Sequence, residues 1–196
     1  MSRRPETWKR DSDPEVFRNV RIALGLVGLL WLVFLADWMV PLDLRAFGLR
    51  PRNPDALSGI VLGPFLHGNL RHIMGNSGAL FVLLLLSLSL SRRLTLVALV
   101  IILFVGGGLV WMFAAPNTIH IGASGVIFGL LGFLLFLGIF QRRWTSMMLS
   151  MVVGLVYGGM LFSLFRFQRG VSFSGHLFGF LSGVLAAWLL RKGGRR

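Results

Sequence analysis

The chain has 196 residues, 55% of them apolar and only 14% charged, where a soluble domain carries roughly 25% charged residues. It holds 20 Lys+Arg against 7 Asp+Glu, a net charge of +13, and no Cys, which excludes disulfides, thiolate metal sites and a cysteine nucleophile. The acids are Glu6, Asp11, Asp13, Glu15, Asp37, Asp43 and Asp55. None follows Asp55, so a pair of membrane-embedded aspartates and a HExxH zinc site are excluded, and an acid-lined cation pump is disfavoured.

Residues 1–19 read as a basic tail. The apolar run at about 20–40 has the roughly 20 residues that a bilayer-spanning helix needs, and no small-residue cleavage site follows it. Residues 41–66 form a long connection whose apolar content (Ile60, Val61, Leu62, Phe65, Leu66) favours packing. Further apolar runs lie at about 70–90, 94–115, 122–140, 145–165 and 174–190, with a second loop at 166–173 and a basic tail at 191–196. The pattern predicts an all-α membrane protein, a single six-transmembrane-helix bundle over residues 20–190. No internal repeat is visible, so the inverted-repeat signature of transporters is missing.

The basic residues are unevenly placed, and this explains the net charge without nucleic acid. Arg3, Arg4, Lys9, Arg10, Arg18, Arg21, Arg92, Arg93, Arg142, Arg143, Arg191, Lys192, Arg195 and Arg196 share one side, while Arg45, Arg50, Arg52, Arg71, Arg166 and Arg169 share the other. By the positive-inside rule both termini are expected in the cytoplasm. Trp38 and Trp111 then sit near outer span ends, and Trp144 and Trp188 near inner ones.

Spans two, four and six run in the same direction, and each opens on polar residues. His72 and Asn76 share one helix face at i and i+4. Gly122-Ala123-Ser124-Gly125 opens the fourth span, and Gly175-His176 opens the sixth. These groups therefore lie at a similar depth. Together they suffice for acyl transfer. Ser124 is a nucleophile if His176 takes its proton, while His72, Asn76 and the Ser124 backbone N–H are candidate oxyanion donors. No acid is placed to orient His176, so the pair is a dyad. Gly125 and Gly129 on one helix, and Gly179 and Gly183 on the other, offer small faces for close approach. Phe128 falls on the face of Ser124, where its ring can pack on the imidazole. Singly, each of these residues also has a bland reading as packing or interhelical hydrogen bonding. His67 and His120 read as structural loop histidines. The Gly106–Gly108 run and the Gly154/Gly158 pair read as packing or bending positions, and Met147, Met148, Met151 and Met160 as apolar filling.

The combination His72-x-x-x-Asn76, Gly122-Ala123-Ser124-Gly125 and His176-x-x-Gly179-x-x-x-Gly183, in order on six spans, resembles the rhomboid intramembrane serine proteases, over roughly residues 20–190. The stretch Gly63-Pro64-Phe65-Leu66-His67-Gly68 looks like a bacterial branch of that family. The resemblance implies a serine endopeptidase of the plasma membrane with Ser124 as nucleophile, His176 as base and then acid, and an oxyanion hole of His72, Asn76 and the Ser124 amide. No metal or other cofactor is implied. Its partners would be the lipid bilayer and single-span membrane-protein substrates, cut beside small residues, with span five and the 166–173 loop gating access. Two positions depart from the family pattern: Phe128 stands where a Tyr is frequent, and residues 41–66 lack the Trp-Arg pair common in that loop. A non-proteolytic rhomboid-like adaptor and a small His-using transporter are the competing readings; retention of both Ser124 and His176 disfavours the first, and the missing acids and repeats disfavour the second.

Overall fold

The computed structural model describes residues 14–39, 43–165 and 172–193, with the backbone alone at 163–165. The tails at 1–13 and 194–196, and residues 166–171 of the second loop with Arg166 and Arg169, lie outside the described residues. Six helices are long and apolar enough to cross a membrane: α1 (Glu15–Met39), α2 (Leu70–Leu90), α3 (Arg92–Phe113), α4 (Ser124–Gln141), α5 (Trp144–Phe162) and α6 (Phe173–Leu190).

Their ends follow from local chemistry. The Asn69 side chain accepts from the His72 backbone N–H at 2.9 Å and starts α2, and Ser91 separates α2 from α3 by accepting from Leu94 N–H at 3.3 Å. Ser172 caps α6 by accepting from Gly175 N–H at 2.9 Å. Each cap satisfies an N–H that the helix itself leaves unpaired. α4 stops where Arg142 turns left-handed, at φ 52°.

α4 is the most enclosed helix and packs most extensively on α6. The seam is built on glycine. A Cβ on Gly179 would strike the Gly125 carbonyl, and one on Gly183 would strike the Gly129 carbonyl. Only side chains without a Cβ let these backbones approach so closely. Around the seam lies one core containing Ile73, Leu80, Leu83, Leu84, Ile127, Leu131, Phe133, Leu137 and Val153.

α3 is not a uniform helix. Residues Ile102–Gly106 form a π-turn, a widening that frequently occurs at functional sites. It presses Ile102 onto Gly129 of α4, and leaves Gly106 facing Ser182 and Gly107 facing Ile60. Two glycines of that run therefore serve packing. α5 tightens instead, becoming 3₁₀ at Gly158–Phe165. Gly158, which opens this stretch, has nothing within 4 Å of a built Cβ, so it marks a change in helix type and not a contact.

The described part of the long connection packs across the end of the bundle where α2, α4 and α6 begin. Leu49 and His120 pair as an antiparallel bridge, N–H to carbonyl in both directions at 3.1 and 2.8 Å. The Arg52 guanidinium donates to the Met112 and Ala114 carbonyls at 3.1 and 3.0 Å. Trp111 Nε1–H donates to the Asn53 carbonyl at 3.0 Å. This answers how the loop is held without its own Trp: the tryptophan comes from the end of α3 and the arginine from the loop. At the opposite end Arg92 and Glu15 pair at 2.7 Å, tying the start of α3 to that of α1.

Candidate functional site

His72 and Asn76 sit one turn apart at the start of α2, and Asn76 is buried. The loop before α4 runs beneath them. Gly122 donates its N–H to the Gly63 carbonyl at 2.9 Å and has φ +102°. A Cβ there would lie 2.5 Å from the His72 ring and 3.4 Å from Asn76 Nδ2. Both the backbone angle and the close approach require glycine. The tight turn delivers Ser124 as the first residue of α4, half-buried and directly after the Gly122–Ala123 step.

His176 is buried one turn into α6. Its ring stacks on Phe128 at 4.2 Å between centroids with an 18° interplanar angle. Stacking needs only the ring, so the missing phenol hydroxyl costs nothing at this contact. Among the described residues, His176 Nδ1 is enclosed and has no hydrogen-bond partner. A cavity of about 720 Å³ is lined by His72, Asn76, Ser124 and His176 together with Arg71, His120 and Ser172. The four polar groups singled out in the sequence thus line one open space. Beside it lies a smaller recess of about 70 Å³, bordered by Ser124 and Gly125 and walled by Ile60, Ile102 and Val110.

His67, read in the sequence as a structural loop histidine, has a definite partner in the site. It is only 2% exposed, and its two ring nitrogens are both engaged. Nδ1 lies 3.2 Å from the Phe65 carbonyl, which can only accept, so Nδ1 carries the proton. Nε2 is then an acceptor and receives an N–H from Asn76 at 3.0 Å. Burial, helped by the neighbouring His72 ring 5.0 Å away, pushes the His67 pKa down to about 4, against a smaller opposing pull from the Phe65 carbonyl. His67 therefore holds one amide hydrogen of Asn76 and leaves the other free. The one sequence signal was its place in the Gly63–Gly68 stretch, five residues before His72.

The rhomboid domain family matches residues 54–193, well over half of the chain. An uncharacterised protein of Mycobacterium tuberculosis is 41% identical over 177 residues, which cover 85% of this chain and 73% of that protein. One of Mycobacterium leprae is 40% identical over 177 residues, 85% of this chain and 69% of that protein. A Bacillus subtilis protein provisionally named as a rhomboid protease is 30% identical over 130 residues, 63% of this chain and 62% of that protein. With six membrane-length helices and this match, the chain belongs to the rhomboid family, multi-pass membrane proteins that are in general intramembrane serine proteases.

Proposed function

We propose that this protein is an intramembrane serine endopeptidase that uses Ser124 and His176 as a catalytic dyad. The observation that carries the reading is the convergence of His72, Asn76, Ser124 and His176 on one cavity, with His176 seated on Phe128. With Nδ1 enclosed, Nε2 is the imidazole nitrogen left to serve the reaction. Ser124 Oγ attacks the carbonyl carbon of a peptide bond while His176 takes its proton. The carbonyl oxygen becomes an oxyanion, stabilised by the free Asn76 N–H, by His72 and by the Ser124 backbone N–H. The C–N bond then breaks as His176 returns the proton to the leaving amine. Water, activated by the same imidazole, hydrolyses the Ser124 ester and regenerates the enzyme.

Substrates are single-span membrane proteins entering the 720 Å³ cavity. The 70 Å³ recess beside Ser124 accepts a small apolar side chain, which favours cleavage beside small residues. The charge asymmetry supports cytoplasmic termini and a cavity opening on the outer face of the cell membrane. Fluorophosphonate labelling in detergent tests the reading without a known substrate. Wild-type protein should label, and Ser124→Ala and His176→Ala should not, each keeping its wild-type melting midpoint. A folded wild type that stays unlabelled, beside a serine protease that labels, would overturn the dyad and favour a non-cleaving adaptor.

A further inference from the structure

His120 lies outside this dyad, yet its hydrogen bonds form a chain with only one consistent arrangement of protons. Thr118 Oγ1 donates its single hydrogen to the Ala115 carbonyl at 2.6 Å. It can therefore only accept from His120 Nε2, 2.9 Å away, so Nε2 carries the imidazole proton. The ring is half-buried, and burial lowers its pKa, which keeps it neutral with Nδ1 as an acceptor. Ser172 Oγ, 2.6 Å from Nδ1, must then donate. The same oxygen accepts the Gly175 N–H at 2.9 Å as the cap of α6. Proton donation therefore runs Gly175 to Ser172 to His120 to Thr118 to Ala115, without a gap or a conflict.

The position of this chain gives it a role. His120 is four residues before Ser124, and its backbone is fixed to Leu49 by the two-way bridge. Ser172 is four residues before His176 and begins the helix that carries it. The Gly175 carbonyl packs 3.4 Å from where a Cβ on Gly125 would sit. Among the described residues, the hydrogen bond between His120 and Ser172 is the polar tie between the segment leading to Ser124 and the cap leading to His176.

We infer that His120 and Ser172 form a latch that sets the Ser124–His176 alignment, making both of them positioning residues for the reaction. The inference rests on the dyad proposed above. Losing the latch should slow chemistry without changing how much substrate binds. One partly buried hydrogen bond's worth of alignment corresponds to a fall of about tenfold in rate.

A double-mutant cycle read by fluorophosphonate labelling rate tests the latch. His120→Ala and Ser172→Ala should each label about tenfold more slowly, and the double variant no more slowly than either. Ser172→Thr, which keeps the hydroxyl, and His120→Asn, which keeps an acceptor toward Ser172, should recover most of the rate. With a cleavable substrate the loss should fall on kcat and leave KM in place. Additive losses, or full rates in folded Ala variants, would overturn the latch. Labelling of the imidazole nitrogens with ¹⁵N separates this from failure of the dyad. If wild type does not label at all, the dyad falls, while a His120 Nδ1 resonance shifted by Ser172→Ala still supports the hydrogen bond on which the latch depends. An Nδ1 resonance that Ser172→Ala leaves unmoved would sink the latch whatever the labelling shows.

Discussion

α4 and α5 are consecutive helices of similar length and similarly apolar sequence, yet 56% of the α4 span is buried within the protein and only 11% of the α5 span. The difference is in what their small residues meet. On the α4–α6 seam, glycines press against carbonyls of the facing helix, while on α5 Gly154 makes one ordinary contact at 3.5 Å and Gly158 and Gly159 meet nothing. α5 instead presents Met151, Leu155, Val156 and Phe162 outward. Apolar composition does not distinguish a helix that builds a site from one that flanks it. The glycines set against facing carbonyls along the α4–α6 seam do. α2 joins the site through its polar groups, its Gly75 and Gly78 meeting nothing, and α5 comes close to α4 at Gly138, beside Ser146 and Ser150.

The largest effect should come from the polar side of that contrast. Asn76→Ala removes a proposed oxyanion donor from the enclosed half of the molecule, and should lower cleavage by about 10²–10³. Labelling and cleavage rates measured together check this, and an unchanged rate would take Asn76 out of the reaction. Next, Gly183→Ala places a Cβ against the Gly129 carbonyl. The seam must open, at a cost of about 1–3 kcal/mol for overpacking, only partly offset by the better helix propensity of Ala. A lowered melting midpoint is expected. A stable Gly183→Ala protein would show that the seam gives way more readily than its contacts imply.

His67 brings pH into the contrast. Its folded pKa of about 4 lies below the ordinary value of 6.5, so between these values the unfolded chain binds a proton that the folded one refuses. The contribution of His67 is complete above pH 6.5 and is lost as pH falls toward 4. At pH 5 the loss should be about 2 kcal/mol. His67→Gln keeps an acceptor for Asn76 but cannot titrate, so its midpoint should fall less between pH 7 and pH 5 than that of wild type. Equal falls would mean that His67 does not carry the acid sensitivity.

The sequence made the bundle and the four polar site groups legible because both depend on local patterns: apolar runs of spanning length, and polar residues at the starts of spans that share a direction. His67 and His120 were legible only as structural loop histidines, their partners hidden for the opposite reason. Each is defined by a partner far away or by a backbone pairing that no local pattern encodes. Asn76 reaches back nine residues to His67, and Ser172 meets His120 across 52. The loop anchor was hidden in the same way, since its Trp111 belongs to α3 and not to the loop. The π-turn of α3 was invisible because Ile102–Gly106 has the composition of any apolar helix.

The smallest effect should fall on α5, where the contrast is sharpest. Gly159→Ala adds a methyl into open space, and restricting the unfolded chain at a compatible site typically stabilises by about 0.4–1 kcal/mol. The midpoint should therefore hold or rise slightly, opposite in sign to Gly183→Ala. Activity divides the two roles that α5 can have. As a passive wall, α5 leaves every rate alone. As the gate for helical substrates, a stiffer 3₁₀ stretch slows cleavage of a membrane protein while a small fluorophosphonate, which needs no opening between helices, still labels Ser124 at the wild-type rate. A clear drop in the midpoint would instead mean that the outward face of α5 is packed against a neighbour in the bilayer, and the difference between α4 and α5 would belong to the isolated chain and not to the protein in its membrane.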